Sequence, residues 1–101
     1  MRRIADDVST DVLAKFRQKY LWWTPVDGQP FSEDRIIAQT MSLATYDDIL
    51  LLERTVGWPR LAELMRRAEP GWIDDRSWDF WRGRLNHRIG AVIPEKAPRR
   101  V

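Results

Sequence analysis

The chain has 101 residues, 44% hydrophobic and 32% charged, a balance that suits one soluble globular domain. It has no cysteine, so disulfides and thiolate chemistry are excluded, and its net charge of +2 is too small to indicate a nucleic-acid partner by itself. No apolar run approaches the roughly 18 residues that a membrane span needs, and no secretory apolar segment opens the chain, so a cytoplasmic protein without a membrane partner is expected.

In chain order, residues 1–8 carry charge of both signs and are expected to be a flexible N-terminus. Ser9 or Thr10 can cap a first helix through about residue 20, with Val12, Leu13, Phe16 and Tyr20 on its apolar face and Trp23 beyond. Pro25 biases Thr24 away from helix, and residues 26–30, with Asp-Gly at their centre, predict a turn. Phe31 then precedes a Ser32 N-cap, Glu33 and Asp34 suit the first turn, and Ile36, Ile37, Thr40, Met41 and Ala44 make a helical stripe.

The best-marked stretch follows. Thr45 can cap a helix, with Asp48 three residues on as an aspartate version of the capping box. Ile49, Leu52 and Val56 share a face, which Leu50 and Leu51 would widen. Gly57 suits a helix stop and Pro59 a helix start, so the helix of Leu61, Leu64, Met65 and Ala68 should neighbour the one before it. Glu-Pro-Gly over 69–71 is a break, and Asp74 is the expected cap of a last helix. Its Trp78, Trp81 and Leu85 fall on one face, and a glycine at position 83 inside it suggests the close approach of a neighbour. Residues 90–101, with Pro94 and Pro98, read as a loose, extended basic tail. The expectation is an all-α, single compact domain of about five short helices over 9–89.

Charge is unevenly placed. Residues 1–44 carry six Lys/Arg against six Asp/Glu, residues 45–75 four against seven, and residues 76–101 seven against two. The basic end makes DNA the alternative partner, through Arg84, Arg88, Lys96, Arg99 and Arg100, with Arg82 also in reach of phosphates. The Gly-Trp-Pro link between two helices resembles a helix-turn-helix. However, Arg66 and Arg67 sit at the C-terminal end of the second helix, whereas recognition helices read bases from their N-terminal part.

Catalytic equipment is sparse. The single histidine, His87, has no cysteine or second histidine with which to complete a zinc set. The carboxylates come in adjacent pairs, and three of these pairs fall at helix starts, where the helix dipole accounts for them. Asp75 and Asp79, at i and i+4, are the best metal suspects, but two ligands are too few. The glycines are scattered, so no loop cradles a phosphate. No enzyme, metal or cofactor is expected.

Six tryptophans in 101 residues exceed what so small a core readily encloses. Trp22, Trp23 or Trp72 is therefore expected to dock a partner, with Arg76, Arg82 and Arg84 supplying charge steering.

The order of Arg-Ile-Ile-Ala-Gln-Thr-Met at 35–41, Tyr-Asp-Asp-Ile at 46–49, Leu-Leu-Glu-Arg-Thr-Val-Gly at 51–57, Leu-Ala-Glu-Leu-Met-Arg-Arg at 61–67 and Arg-Ser-Trp-Asp-Phe-Trp at 76–81 resembles a group of small bacterial helical proteins. These are encoded beside nucleotidyltransferase-like toxins of the AbiEii type and are taken as their antitoxin-like partners. The resemblance spans roughly residues 20–86 and implies a protein-binding role against such a toxin, with no catalytic residues to carry over.

Overall fold

The structure, a computed structural model, describes residues 4–21 and 31–99, with side chains from residue 11 onward. Trp22, Trp23, the turn at 26–30 and Arg100 therefore lie outside the described residues. Five helices follow in order: α1 (Ile4–Tyr20), α2 (Glu33–Leu43), α3 (Tyr46–Val56), α4 (Trp58–Arg67) and α5 (Asp75–Ile89). There is no strand among the described residues, and the protein is all-α.

The caps sit where the sequence places them. Ser32 accepts the Arg35 N–H at 3.1 Å, Thr45 the Asp48 N–H at 3.4 Å, and Asp74 the Ser77 N–H at 2.7 Å. The start of α1 is different. It begins at Ile4, so Ser9 and Thr10 lie inside the helix instead of capping it. No Gly or Pro interrupts residues 4–10. The Asp48 carboxylate also departs from a reciprocal box. It accepts from Tyr20 Oη at 2.5 Å and from Lys19 Nζ at 2.7 Å, tying α3 to the end of α1.

The hub is α2, which contacts all four other helices. Ile37, Ala38 and Thr40 are fully buried. The buried Thr40 hydroxyl is satisfied within its own helix, by the Ile36 carbonyl at 2.8 Å. The last carbonyls of any helix lack intrahelical partners. Here α5 supplies them: Trp81 Nε1 donates to the Met41 carbonyl at 3.0 Å, and Ser77 Oγ to that of Ser42 at 3.2 Å. Trp78, Trp81 and Leu85 form the buried face of α5, as their spacing predicts.

The tail is extended, but it is not loose. Gly90, at φ +67°, ends α5 in the left-handed conformation, and the next N–H bonds back to the Leu85 carbonyl. Ala91 and Ile93 then point inward while Val92 points out, and Ala97 is buried further on. An extended segment outside a sheet needs other partners for its carbonyls. Trp78 Nε1 donates to Pro94 at 2.7 Å, Asn86 Nδ2 to Ala91 at 3.1 Å and Arg66 Nε to Val92 at 3.2 Å. Arg99 closes the strap on Asp75 at 3.0 Å.

Gly83 allows no close approach. No atom lies within 4 Å of the position its Cβ would take, and its φ is not positive. Gly83→Ala should therefore stabilise the protein by about 0.5 to 1 kcal/mol through helix propensity alone, read as a raised urea midpoint with unchanged slope.

Candidate partner-docking surface

The site begins with a spacing on α3. Tyr46 and Leu50, one turn apart, face outward at 60% and 39% exposure, and Glu53, a turn further on, is buried. Gly57, at φ +92°, stops α3 and begins α4 in one residue, a backbone shape that side-chain-bearing residues rarely adopt. Trp58 and Pro59 consequently emerge against the end of α3. Leu50, Glu53, Arg54, Gly57, Trp58 and Pro59 line a cleft of about 610 Å³, a volume in the range of ligand-binding clefts. Unlike α2, α3 and α5, α4 has no side-chain cap, because Gly57 offers no acceptor.

Helix α5 (Asp75–Ile89) lies beside the cleft. Arg84 forms a two-bond ion pair with Glu53 on α3, through Nε and, at 2.9 Å, through Nη2. Its guanidinium also lies 5.9 Å from the Tyr46 ring centroid and 5.8 Å from that of Phe80, itself 44% exposed. One turn on, Arg88 lies 5.4 Å from the Trp58 ring centroid. Aromatic rings and arginines thus alternate across the α3–α5 seam beside the cleft.

Burial works to raise the Glu53 carboxyl, but the Arg84 bonds outweigh it and hold the group below the usual carboxylate range. The more distant Arg88 and the Trp58 indole add to the lowering, although the indole N–H makes no hydrogen bond of good geometry. Glu53 in turn raises Arg84. Neither Arg54 nor Arg88 has an ion-pair partner among the described carboxylates.

The residues expected from sequence to bind a partner are dispersed. Trp72 is half-buried against the core, with the Arg35 guanidinium 5.8 Å from its ring centroid and its carbonyl bonded by Ser42 Oγ. It is packed as a lid. Arg76 is exposed in the first turn of α5. Arg82, whose Nε is buried without a partner, lines a second cleft, of about 330 Å³, between α5 and the tail. Lys96 and Arg99 line it too, but so do Asp75, Asp79 and Glu95. Of the expected residues that are described, only Arg84 belongs to the surface at α3–α5.

The DNA candidates split likewise. Arg84 and Arg88 lie roughly 14 to 20 Å along α5 from Asp75, where Arg99 is held, at the usual helical rise. On α4, Arg60 pairs with Glu33 and Asp34, and Arg67 with Asp34 and Glu63. Its Leu61, Ala62, Leu64 and Met65 are buried, so the face opposite these ion pairs is committed to the core.

Among the described residues, no three acidic or histidine side chains converge as a metal site would need, and no helix is long and apolar enough to cross a membrane. Compared with known protein families, with curated proteins and with solved structures, the chain matches none of them.

Sequence reasoning missed Tyr46, Leu50, Trp58 and Phe80 as a group. The available signal was that Leu50 and Leu51 both lie well away from the stripe of Ile49, Leu52 and Val56, which does not by itself single out Leu50.

Proposed function

We propose that the protein is a non-catalytic binding module that docks another protein on the surface formed by Tyr46, Leu50, Trp58, Phe80, Arg84 and Arg88. One observation carries this reading. Tyr46, Leu50 and Phe80 stand exposed beside a cleft, with the half-buried Trp58 in its wall, and are interleaved with arginines, the residue types enriched where partner proteins anchor. The sequence resemblance adds a partner class. An antitoxin-like protein would sequester a nucleotidyltransferase-type toxin by covering it, which needs a sticky surface and no chemistry.

The test is co-expression with an AbiEii-type nucleotidyltransferase from the same host, followed by gel filtration. The wild-type chain should co-elute with the enzyme and suppress its toxicity. The Leu50→Glu variant should keep its helical circular dichroism, with stability within about 1 kcal/mol, and lose both effects. A complex indifferent to Leu50→Glu would move the docking face elsewhere. The absence of any complex would remove the toxin reading.

A small DNA-binding regulator draws less support. On α4, Arg60 and Arg67 are paired with α2 carboxylates and Arg66 bonds the Val92 carbonyl, and the candidate DNA-binding cations among the described residues fall in two separated groups.

A further inference from the structure

The partner segment that fits this surface has a definite chemistry. The cleft walls at Leu50, Gly57, Trp58 and Pro59 are predominantly apolar and suit one large apolar side chain. Two charged residues line the cleft, Glu53 and Arg54, and only the arginine lacks a described ion-pair partner. Glu53 is already neutralised by its two bonds from Arg84, whereas Arg54 on the cleft wall and Arg88 on Trp58 have no described carboxylate partner. The uncapped start of α4 adds partial positive charge at the same place. A basic segment would meet like charge here, and a neutral one would leave the arginines unanswered.

We infer that the α3–α4 cleft binds an acidic segment of another protein, with one large apolar residue seated between Leu50 and Trp58 and flanking carboxylates on Arg54 and Arg88. This rests on the protein-binding reading above and specifies the partner that reading leaves open. Arg84 is outside the recognition set, because its guanidinium is held by Glu53 and by the faces of Tyr46 and Phe80.

The experiment is selection of a random-peptide phage library on the immobilised, full-length chain. Enriched peptides are then synthesised and titrated by tryptophan fluorescence against wild type, Leu50→Glu and the double variant Arg54→Glu with Arg88→Glu. Both variants change exposed side chains, and circular dichroism checks their fold. Enriched peptides should carry Asp or Glu around a Leu, Phe or Trp. They should bind the double variant about tenfold or more weakly, and they should weaken as ionic strength rises. Peptides that need Leu50 but are neutral or basic, or that ignore the double arginine change, would overturn the acidic-segment inference and leave the binding-module reading intact. Failure to recover any peptide sensitive to Leu50→Glu would overturn both. Concentration-dependent self-association in sedimentation, abolished by Leu50→Glu, would overturn the inference in favour of a second copy of this chain. Tight binding of a labelled duplex oligonucleotide, lost in the double variant, would do so in favour of DNA.

Discussion

Trp81→Ala should lower stability by about 3 to 5 kcal/mol, among the largest effects expected of a single change in the described core. Typical domains have only about 5 to 15 kcal/mol in total, so the variant should be partly unfolded or close to it at room temperature. Two losses combine. Trp81 is fully buried, so its removal leaves a large cavity at the meeting of α2 and α5. Its indole also caps the end of α2 through the Met41 carbonyl, and that acceptor would be left unpaired inside the protein. Trp81→Phe separates the two. It restores most of the apolar volume but not the donor, and should cost about 2 kcal/mol. Urea unfolding with tryptophan fluorescence, together with circular dichroism, measures both. A Trp81→Ala variant within about 1 kcal/mol of wild type would mean that α5 does not hold α2 in this way.

How far this architecture can be read from residues depends on whether the deciding interaction is local. Thr45, Ser32 and Asp74 were legible as caps because a cap bonds an N–H only three residues away. The Trp78, Trp81 and Leu85 face was legible because helical period alone places it. The central position of α2 was not, since it depends on which neighbours the other helices choose. Nor was the tail. Pro94 and Pro98 correctly excluded a helix, but the partners that hold the segment down, Arg66, Trp78 and Asn86, are side chains on α4 and α5.

The candidate surface was legible only in part, for the same reason. Adjacent apolar residues in a helix point about 100° apart, so a run as dense as Ile49 to Leu52 cannot all face one core. Leu50 turned outward while the charged Glu53 turned in. Helical period already sets Glu53 nearer the buried stripe than Leu50; what it does not give is the partner, Arg84, which stands 31 residues further along the chain and crosses from α5 to meet Glu53. Tryptophan count pointed to an exposed anchor, but Trp58 and Trp72 are both half-buried against the core, the first placed by the positive φ of Gly57 and the second lying under Arg35.

Arg84→Leu should cost about 2 to 3 kcal/mol, below the loss for a fully enclosed pair because this one lies at the edge of the core. The Glu53 side chain is 7% exposed, so without Arg84 its carboxylate is left nearly dry and unpaired. Converting both residues to leucine should recover most of the loss, because a paired charge and a well-packed apolar pair are close in free energy whereas a lone buried charge is not. The pH dependence tests the cause. In the wild type the Glu53 carboxyl is depressed. Its contribution is therefore fully present above the ordinary glutamate value of about 4.3 and is lost as pH falls through the lower folded value. Without Arg84, burial is opposed only by Arg88 and the Trp58 indole, so the folded-state carboxyl rises from its wild-type position and takes up its proton at higher pH. The stability gap between wild type and Arg84→Leu should therefore shrink steadily as pH is lowered through the acid range, when measured by urea unfolding at a series of pH values. The Glu53→Leu, Arg84→Leu double variant should lack this Glu53-dependent part of the acid sensitivity altogether. A gap that stays constant with pH would mean that Arg84 stabilises the fold by covering Tyr46 and Phe80 and not by neutralising Glu53.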